Sequence, residues 1–188
     1  MYSLEKRANV FSKKDAIKKN GKNKNMTLVT GFSGSGKTTL ADKIEKEHPQ
    51  IVNVELDGFQ HGYDTSEGER VVSNFVEKHG LYNEHANYGA EDIMNYLQDL
   101  ARNNPEKHYV VNGVQFLPAP DELFEDYPVV VKGTGLLKSS YRRLKRDKAF
   151  GNKGANDNIL DAIRYNMRLN KDVNRVRKII KRQAKKIK

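Results

Sequence analysis

The chain has no cysteine, which excludes disulfides and zinc–thiolate sites and makes a reducing compartment the natural setting. No apolar run approaches the roughly 18 residues that a membrane-crossing helix needs. The N-terminus carries lysines but no apolar segment, so no secretory signal is expected. Together these point to a cytoplasmic protein without a membrane partner. No sequence repeat is visible, and no break in composition divides the middle of the chain. One domain with one sizeable core is therefore expected from 188 residues. What is abundant is positive charge, and it is unevenly placed. The net charge is +10, with +6 on residues 1–25 and +8 on residues 171–188, leaving −4 for 26–170. This divides the chain into a basic N-terminal extension at 1–25, a folded domain at 26–170 and a basic C-terminal helix at 171–188. Such ends either meet nucleic acid or another polyanion, or serve as solvated, solubilising segments.

The most specific stretch is Gly31-Phe32-Ser33-Gly34-Ser35-Gly36-Lys37-Thr38, a full match to G-x-x-x-x-G-K-[ST]. Met26 to Thr30 before it is short, apolar and partly β-branched, as a buried strand is. Thr39 to Ile44 after it has helical character. Strand, glycine-rich loop and helix are the context this motif demands. Gly31, Gly34 and Gly36 permit backbone angles that let loop N–H groups point inward around a phosphate, at the positive end of the helix. Ser33, Ser35 and Thr39 complete the expected nucleotide-binding set. Lys37 is expected on the β- and γ-phosphates of ATP and the Thr38 hydroxyl on Mg2+.

Further along, Ile51 to Leu56 reads as a second strand ending at Asp57-Gly58-Phe59. A helix is predicted from Ser66 to Gly80, with Val71, Val72, Phe75 and Val76 on one face, and another follows with Ile93, Tyr96, Leu97 and Leu100. Tyr109–Asn112 and Val129–Lys132 are the third and fourth strands, with Pro118 to Tyr127 between them as a short helix or loop. A helix from Ser139 or Ser140 to Asp147 leads into a Gly/Asn/Lys-rich loop at 148–156. A last long helix starts near Asp157, with Val173, Val176 and Ile180 on an apolar stripe. In the first 25 residues, Ser12 and Gly21 mark at most a short helix. Alternating strands and helices imply a parallel sheet with helices on both faces.

A phosphate loop specifies a nucleotide, not a reaction. No Asn-Lys-x-Asp run is present, which disfavours a GTPase. Asp57 ends a strand where ligands of open parallel sheets gather, so it is placed to accept a proton from an attacking hydroxyl or to join the magnesium shell. Arg142, Arg143 and Arg146 share a helix face, and Arg143 and Arg146 are candidates to close over the transferring phosphoryl group.

These three segments, GFSGSGKTT at 31–39, DGF at 57–59 and RRLKRD at 142–147, resemble in order and kind the uridine kinase, phosphoribulokinase and pantothenate kinase group of P-loop kinases. The resemblance implies a P-loop NTPase three-layer sandwich, with a parallel sheet of four or five strands and an arginine-bearing lid. It also implies that Lys37 and Thr38 hold phosphates and magnesium, that Asp57 acts as base, and that Arg143 and Arg146 act from the lid, with Arg142 on the nucleotide. The group carries Glu-Gly after the third strand where this chain has Asn112-Gly113, which leaves Asp57 as the sole acid expected near the metal. Tyr63, Arg70, Tyr82, His85 and Tyr88 are candidates to recognise an acceptor, or ordinary half-buried side chains.

Three functions follow. The first is ATP-dependent phosphoryl transfer to a hydroxyl of a small molecule, with a nucleoside or nucleotide foremost. The second is a kinase whose acceptor hydroxyl lies on a nucleic acid gripped by the basic ends. The third is an ATPase or nucleotide-binding module that uses those ends to hold a partner. Asp57 and the arginines favour a kinase.

Overall fold

The computed structural model describes residues 15–18, 21, 25–61, 66–82, 87–149 and 158–186. In chain order the elements are β1 (Ala16–Lys18), β2 (Met26–Thr30), α1 (Lys37–Glu47), β3 (Ile51–Glu55), α2 (Gly58–His61), α3 (Glu67–His79), α4 (Ala90–Asn103), β4 (His108–Asn112), α5 (Asp121–Asp126), β5 (Val129–Val131), α6 (Leu136–Ala149) and α7 (Ile159–Lys186). Ser12, Tyr63, His85 and residues 150–156 lie outside the described residues.

The five strands form one sheet in the order β1-β5-β2-β4-β3. Four are parallel: Met26 pairs with Tyr109, Leu28 with Val129, and Val52 with Tyr109. These are the four strands read from the sequence. β2, β4 and β5 are buried along their whole length, which is why they read as continuous apolar runs rather than alternating ones. The pleat sends Leu28, Val54, Val111 and Val131 to one face, beneath α3, α4 and α7. Val29, Ile51, Val110 and Val130 go to the other face, beneath Leu40, Ala41 and Ile44 of α1. The result is an α/β fold compatible with a three-layer sandwich.

The fifth strand is a difference. β1 lies within residues 1–25, where the sequence suggested at most a short helix, and it pairs antiparallel with β5, Ala16 opposite Val131. Three residues are too few for periodicity to reveal, and polar contacts hold them. The Lys18 ammonium donates to the carbonyls of Phe124 (2.9 Å) and Tyr127 (3.0 Å), and Lys132 pairs with Asp15 at 2.9 Å. Gly21 lies so close to the next segment that a Cβ there would stand 2.6 Å from the Asp126 carbonyl oxygen.

α7 runs unbroken for 28 residues across position 170, where the charge distribution had placed a boundary. Its buried positions Ala162, Asn166, Val173, Val176 and Ile180 recur at helical spacing. Among the described residues no helix is long and apolar enough to cross a membrane.

Candidate functional site

The site lies at the carboxyl ends of β2, β3 and β4. Between β2 and α1 the loop turns on three glycines in the left-handed region, Gly31 (φ 140°), Gly34 (79°) and Gly36 (87°). These conformations are costly for any residue with a Cβ. Gly36 caps α1 without a side chain to close its N–H groups and is followed by no acid in the first turn. The positive end of α1 therefore meets no carboxylate of its own, unlike α3, whose N-terminus is closed by a reciprocal Ser66–Glu69 capping box. Ser35 Oγ, within the loop, is buried without a hydrogen-bond partner among the described residues.

Lys37 opens α1 and folds back beneath the loop, 9 % exposed. Its ammonium donates to the carbonyl of Phe32 at 3.1 Å and lies 3.5 Å from that of Gly31. Burial pulls its pKa down from 10.5 to about 8; Asp57 pulls it back up, Arg146 lowers it, Glu55 raises it and Arg143 lowers it. The four charged side chains Glu55, Asp57, Arg143 and Arg146 thus share the electrostatic surroundings of Lys37. Asp57, Arg143 and Arg146, all candidates in the sequence, come from segments far apart in the chain.

Thr38 Oγ1 donates to Glu55 Oε1 at 2.6 Å and lies 3.5 Å from Asn112 Oδ1. Glu55 is the residue the sequence missed: a second carboxylate, beside the threonine expected to hold magnesium. Asp57 is therefore not the only acid here. Burial pushes the Glu55 carboxyl up; the Thr38 hydrogen bond pulls it down, and the neighbouring Asp57 charge raises it. Asn112, in place of the glutamate of the resembled group, keeps an oxygen beside Thr38. Its amide donates to Asn53 at 2.7 Å, and Asn53 in turn donates to Asp42 at 2.8 Å. The donor set of hydroxyl, carboxylate and amide oxygens fits a hard cation such as Mg2+.

Asp57 stands just past β3, two residues before Phe59, which is fully buried and meets Phe75 edge-on at 5.4 Å between ring centres. Its Oδ1 accepts from Gln115, a second residue the sequence did not single out. Gly113 makes room for that arrangement, since a Cβ there would meet Gln115 Oε1 at 2.5 Å and Leu56 Cβ at 2.8 Å. A small hollow of about 20 Å3 opens beside it, lined by Leu56, Tyr82, Ile93, Met94, Gln115 and Phe116. Tyr82 and Tyr88 join an aromatic cluster around Phe75, with Tyr88 and Phe75 ring centres 4.9 Å apart. Arg70 is exposed.

The arginine helix α6 lies against the loop. A Cβ on Gly34 would stand 2.3 Å from the Ser139 carbonyl oxygen and 2.9 Å from the Arg143 backbone nitrogen. Arg143 Nη1 donates to Ser33 Oγ at 2.7 Å, its guanidinium stacks 3.8 Å above the Tyr165 ring, and its Nε is 3.4 Å from Asp147. Arg146, half-exposed, pairs with the same Asp147 at 3.2 Å. Arg142 and Thr39 are exposed. Behind the loop, the fully buried Asn166 of α7 accepts from the Ser33 backbone N–H at 3.0 Å and donates to the Ser33 carbonyl at 3.1 Å, as well as to Ser140 Oγ at 3.1 Å. Asn166 treats the loop backbone as an edge to be paired, and so joins α6 and α7 to it.

No protein-family model matches the chain, and neither does any curated protein.

Proposed function

We propose that the chain is an ATP-dependent kinase that transfers the γ-phosphoryl group to a hydroxyl of a small molecule, with nucleosides and nucleotides as the first class to test. The observation that carries the reading is the convergence of Lys37, Thr38, Glu55 and Asp57 beneath a loop with three left-handed glycines, at a helix whose own first turn carries no acid. In the reaction, the acceptor oxygen bonds to the γ-phosphorus, the bond from that phosphorus to the ADP oxygen breaks, and the acceptor proton passes to Asp57. Gln115 orients the Asp57 carboxylate for that role. Lys37 exchanges weak carbonyl contacts for phosphate oxygens, where a charge-assisted bond is stronger. Arg146 reaches the same charge from α6. Thr38 and Glu55 would hold Mg2+, with Asn112 beside them, and the ion would neutralise phosphate charge when bound with ATP. A catalytic acid on the acceptor side favours a kinase over a nucleotide switch.

The test is turnover of Mg-ATP with a panel of hydroxyl-bearing acceptors by the parent chain and by Lys37→Ala. Removal of an interaction that strengthens as charge shifts is expected to lower the rate by about 10²-fold or more. Equal turnover by both would remove this loop from the chemistry.

A further inference from the structure

Six of the basic residues of α7 fall on one side of it, with Arg177 and Lys181 lying off that side. Positions 164, 168, 171, 175, 178 and 182 are spaced four, three, four, three and four residues apart and carry Arg164, Arg168, Lys171, Arg175, Lys178 and Arg182. At 3.6 residues per turn this is one stripe, on the side of the helix opposite Val173, Val176 and Ile180. Two of the six turn toward α5: Arg175 bonds Asp121 at 2.9 Å and the carbonyls of Leu117 and Ala119 at 2.6 Å, and Arg182 bonds Glu125 at 3.0 Å. Arg164, Arg168, Lys171 and Lys178 are exposed, and among the described residues only Arg164 is tied locally, to Asp161 at 3.2 Å. Both carboxylates of α7, Asp161 and Asp172, are half-buried, so none belongs to its exposed set. Beside α7, α6 exposes Lys138, Arg142 and Lys145, with Tyr141 62 % exposed among them. The two helices are joined by the Asn166–Ser140 bond and the Arg143–Tyr165 stack.

We propose that this outer face of α7, flanked by α6, binds the phosphate backbone of a nucleic acid. Charge complementarity selects a polyanion. The stripe from 164 to 182 extends about 27 Å at 1.5 Å per residue, a length that suits a row of backbone phosphates rather than a single anion. Exposed Asn170 and Asn174 lie among the cations as further phosphate partners, and Tyr141 offers a ring on which an unstacked base can lie. A membrane surface fits less well. An interfacial helix inserts a continuous apolar face, whereas the apolar stripe of α7 from Val173 onward is buried in the core and, among the described residues, its exposed apolar side chains, Ile159, Leu160 and Met167, are confined to its N-terminal turns, away from most of the cations. The grip is thus not a tail beyond the fold but one side of a helix that the core holds rigid. At its N-terminal part that helix touches Ser33 of the phosphate loop through Asn166. The inference stands independently of phosphoryl transfer.

The test is a fluorescence-anisotropy titration of a labelled mixed-sequence oligonucleotide, single-stranded and double-stranded, with the full chain at about 50 and about 200 mM salt. Two charge-matched variants are compared: Arg168→Glu/Lys171→Glu on α7, and Lys43→Glu/Lys46→Glu on α1, across the sheet. All four positions are exposed. The parent chain is expected to bind, with an affinity that falls steeply with salt. The α7 variant is expected to lose at least about tenfold at the lower salt and to flatten the log–log slope by about 1.5, the share of two phosphate contacts. The α1 variant is expected to keep most of the affinity. As a second readout, amine-reactive labelling of the parent chain is expected to show Lys171 and Lys178 protected by the oligonucleotide and Lys43 unprotected. The proposal is overturned if the parent does not bind, if the two variants lose equally, if the α7 variant binds like the parent, or if anionic vesicles capture the chain while oligonucleotides do not.

Discussion

Lys37 carries the heaviest electrostatic burden of any residue in the site. It is almost fully buried, and its pKa is held at about 8 against an ordinary 10.5, with burial the largest cause. Because the folded value lies below the unfolded one, the unfolded chain binds more protons in this range. The free chain therefore gains stability as pH rises from about 8 to about 10.5, where the buried charge is lost. Phosphates arriving beside the ammonium favour its charged form and raise the pKa again. Nucleotide binding is thus expected to take up protons little near pH 7 and increasingly toward about pH 9, with affinity declining over the same span. Calorimetry in two buffers of different ionisation enthalpy measures that uptake, and Lys37→Ala should abolish it. Undiminished uptake in the variant would assign the proton elsewhere. Lys37, Thr38 and Asp57 were legible in the sequence because a motif with fixed spacing, or a strand end, locates them. Glu55, Gln115 and Asn166 were not. Each acts on a partner distant in sequence, with Asn166 133 residues from Ser33 and Gln115 58 residues from Asp57, and only strand register and helix packing bring them together.

Among the elements, α7 shows how charge and packing describe one helix differently. Its charge marks off 171–188 in the sequence, while its apolar stripe, Val173, Val176 and Ile180 with Ile179, all at most 3 % exposed, belongs to the main core. Burial of four aliphatic side chains at about 2 kcal/mol each amounts to roughly 8 kcal/mol, comparable to the whole stability of a domain this size. A chain ending at residue 170 is therefore expected to lose cooperative thermal unfolding, followed by circular dichroism. A truncated chain that melts like the parent would contradict the packing of α7. The periodicity of its apolar stripe was visible beforehand; what the stripe docks against was not, because periodicity names a face and not its partner. The same limit applies to α6. The sequence placed its arginines on one face, and the structure lays that helix on Gly34 and Ser33, with Arg143 supporting the loop and Arg146 the more exposed. β1 lies at the opposite extreme, a three-residue strand held by Asp15 and Lys18 with almost no apolar pattern to announce it.

For the whole molecule, the layers place the loop site and the basic helix face on separate surfaces. Three of the four parallel strands, β2, β4 and β5, were legible because burial along their whole length leaves apolar runs between turn signals, while β3, half-buried at Asn53 and Glu55, was legible from its β-branched positions. Their carboxyl ends gather the loop, Glu55, Asn112 and Asp57. α1 covers one face of the sheet, and on the other α7 joins the core to a basic outer side. These groups are proposed to transfer a phosphoryl group from ATP. The most direct measurement follows label from γ-phosphate-labelled ATP into a panel of nucleosides, nucleotides, small alcohols and oligonucleotides, with parent chain and Asp57→Asn, alongside ATP binding by both. The substitution keeps the shape and removes the proton acceptor. Label is expected to enter at least one acceptor with the parent chain, and the rate with Asp57→Asn should fall by about 10²–10⁴ while ATP binding is retained. Transfer by Asp57→Asn at the parent rate, or no labelled acceptor from the parent chain while ATP is bound, would contradict it.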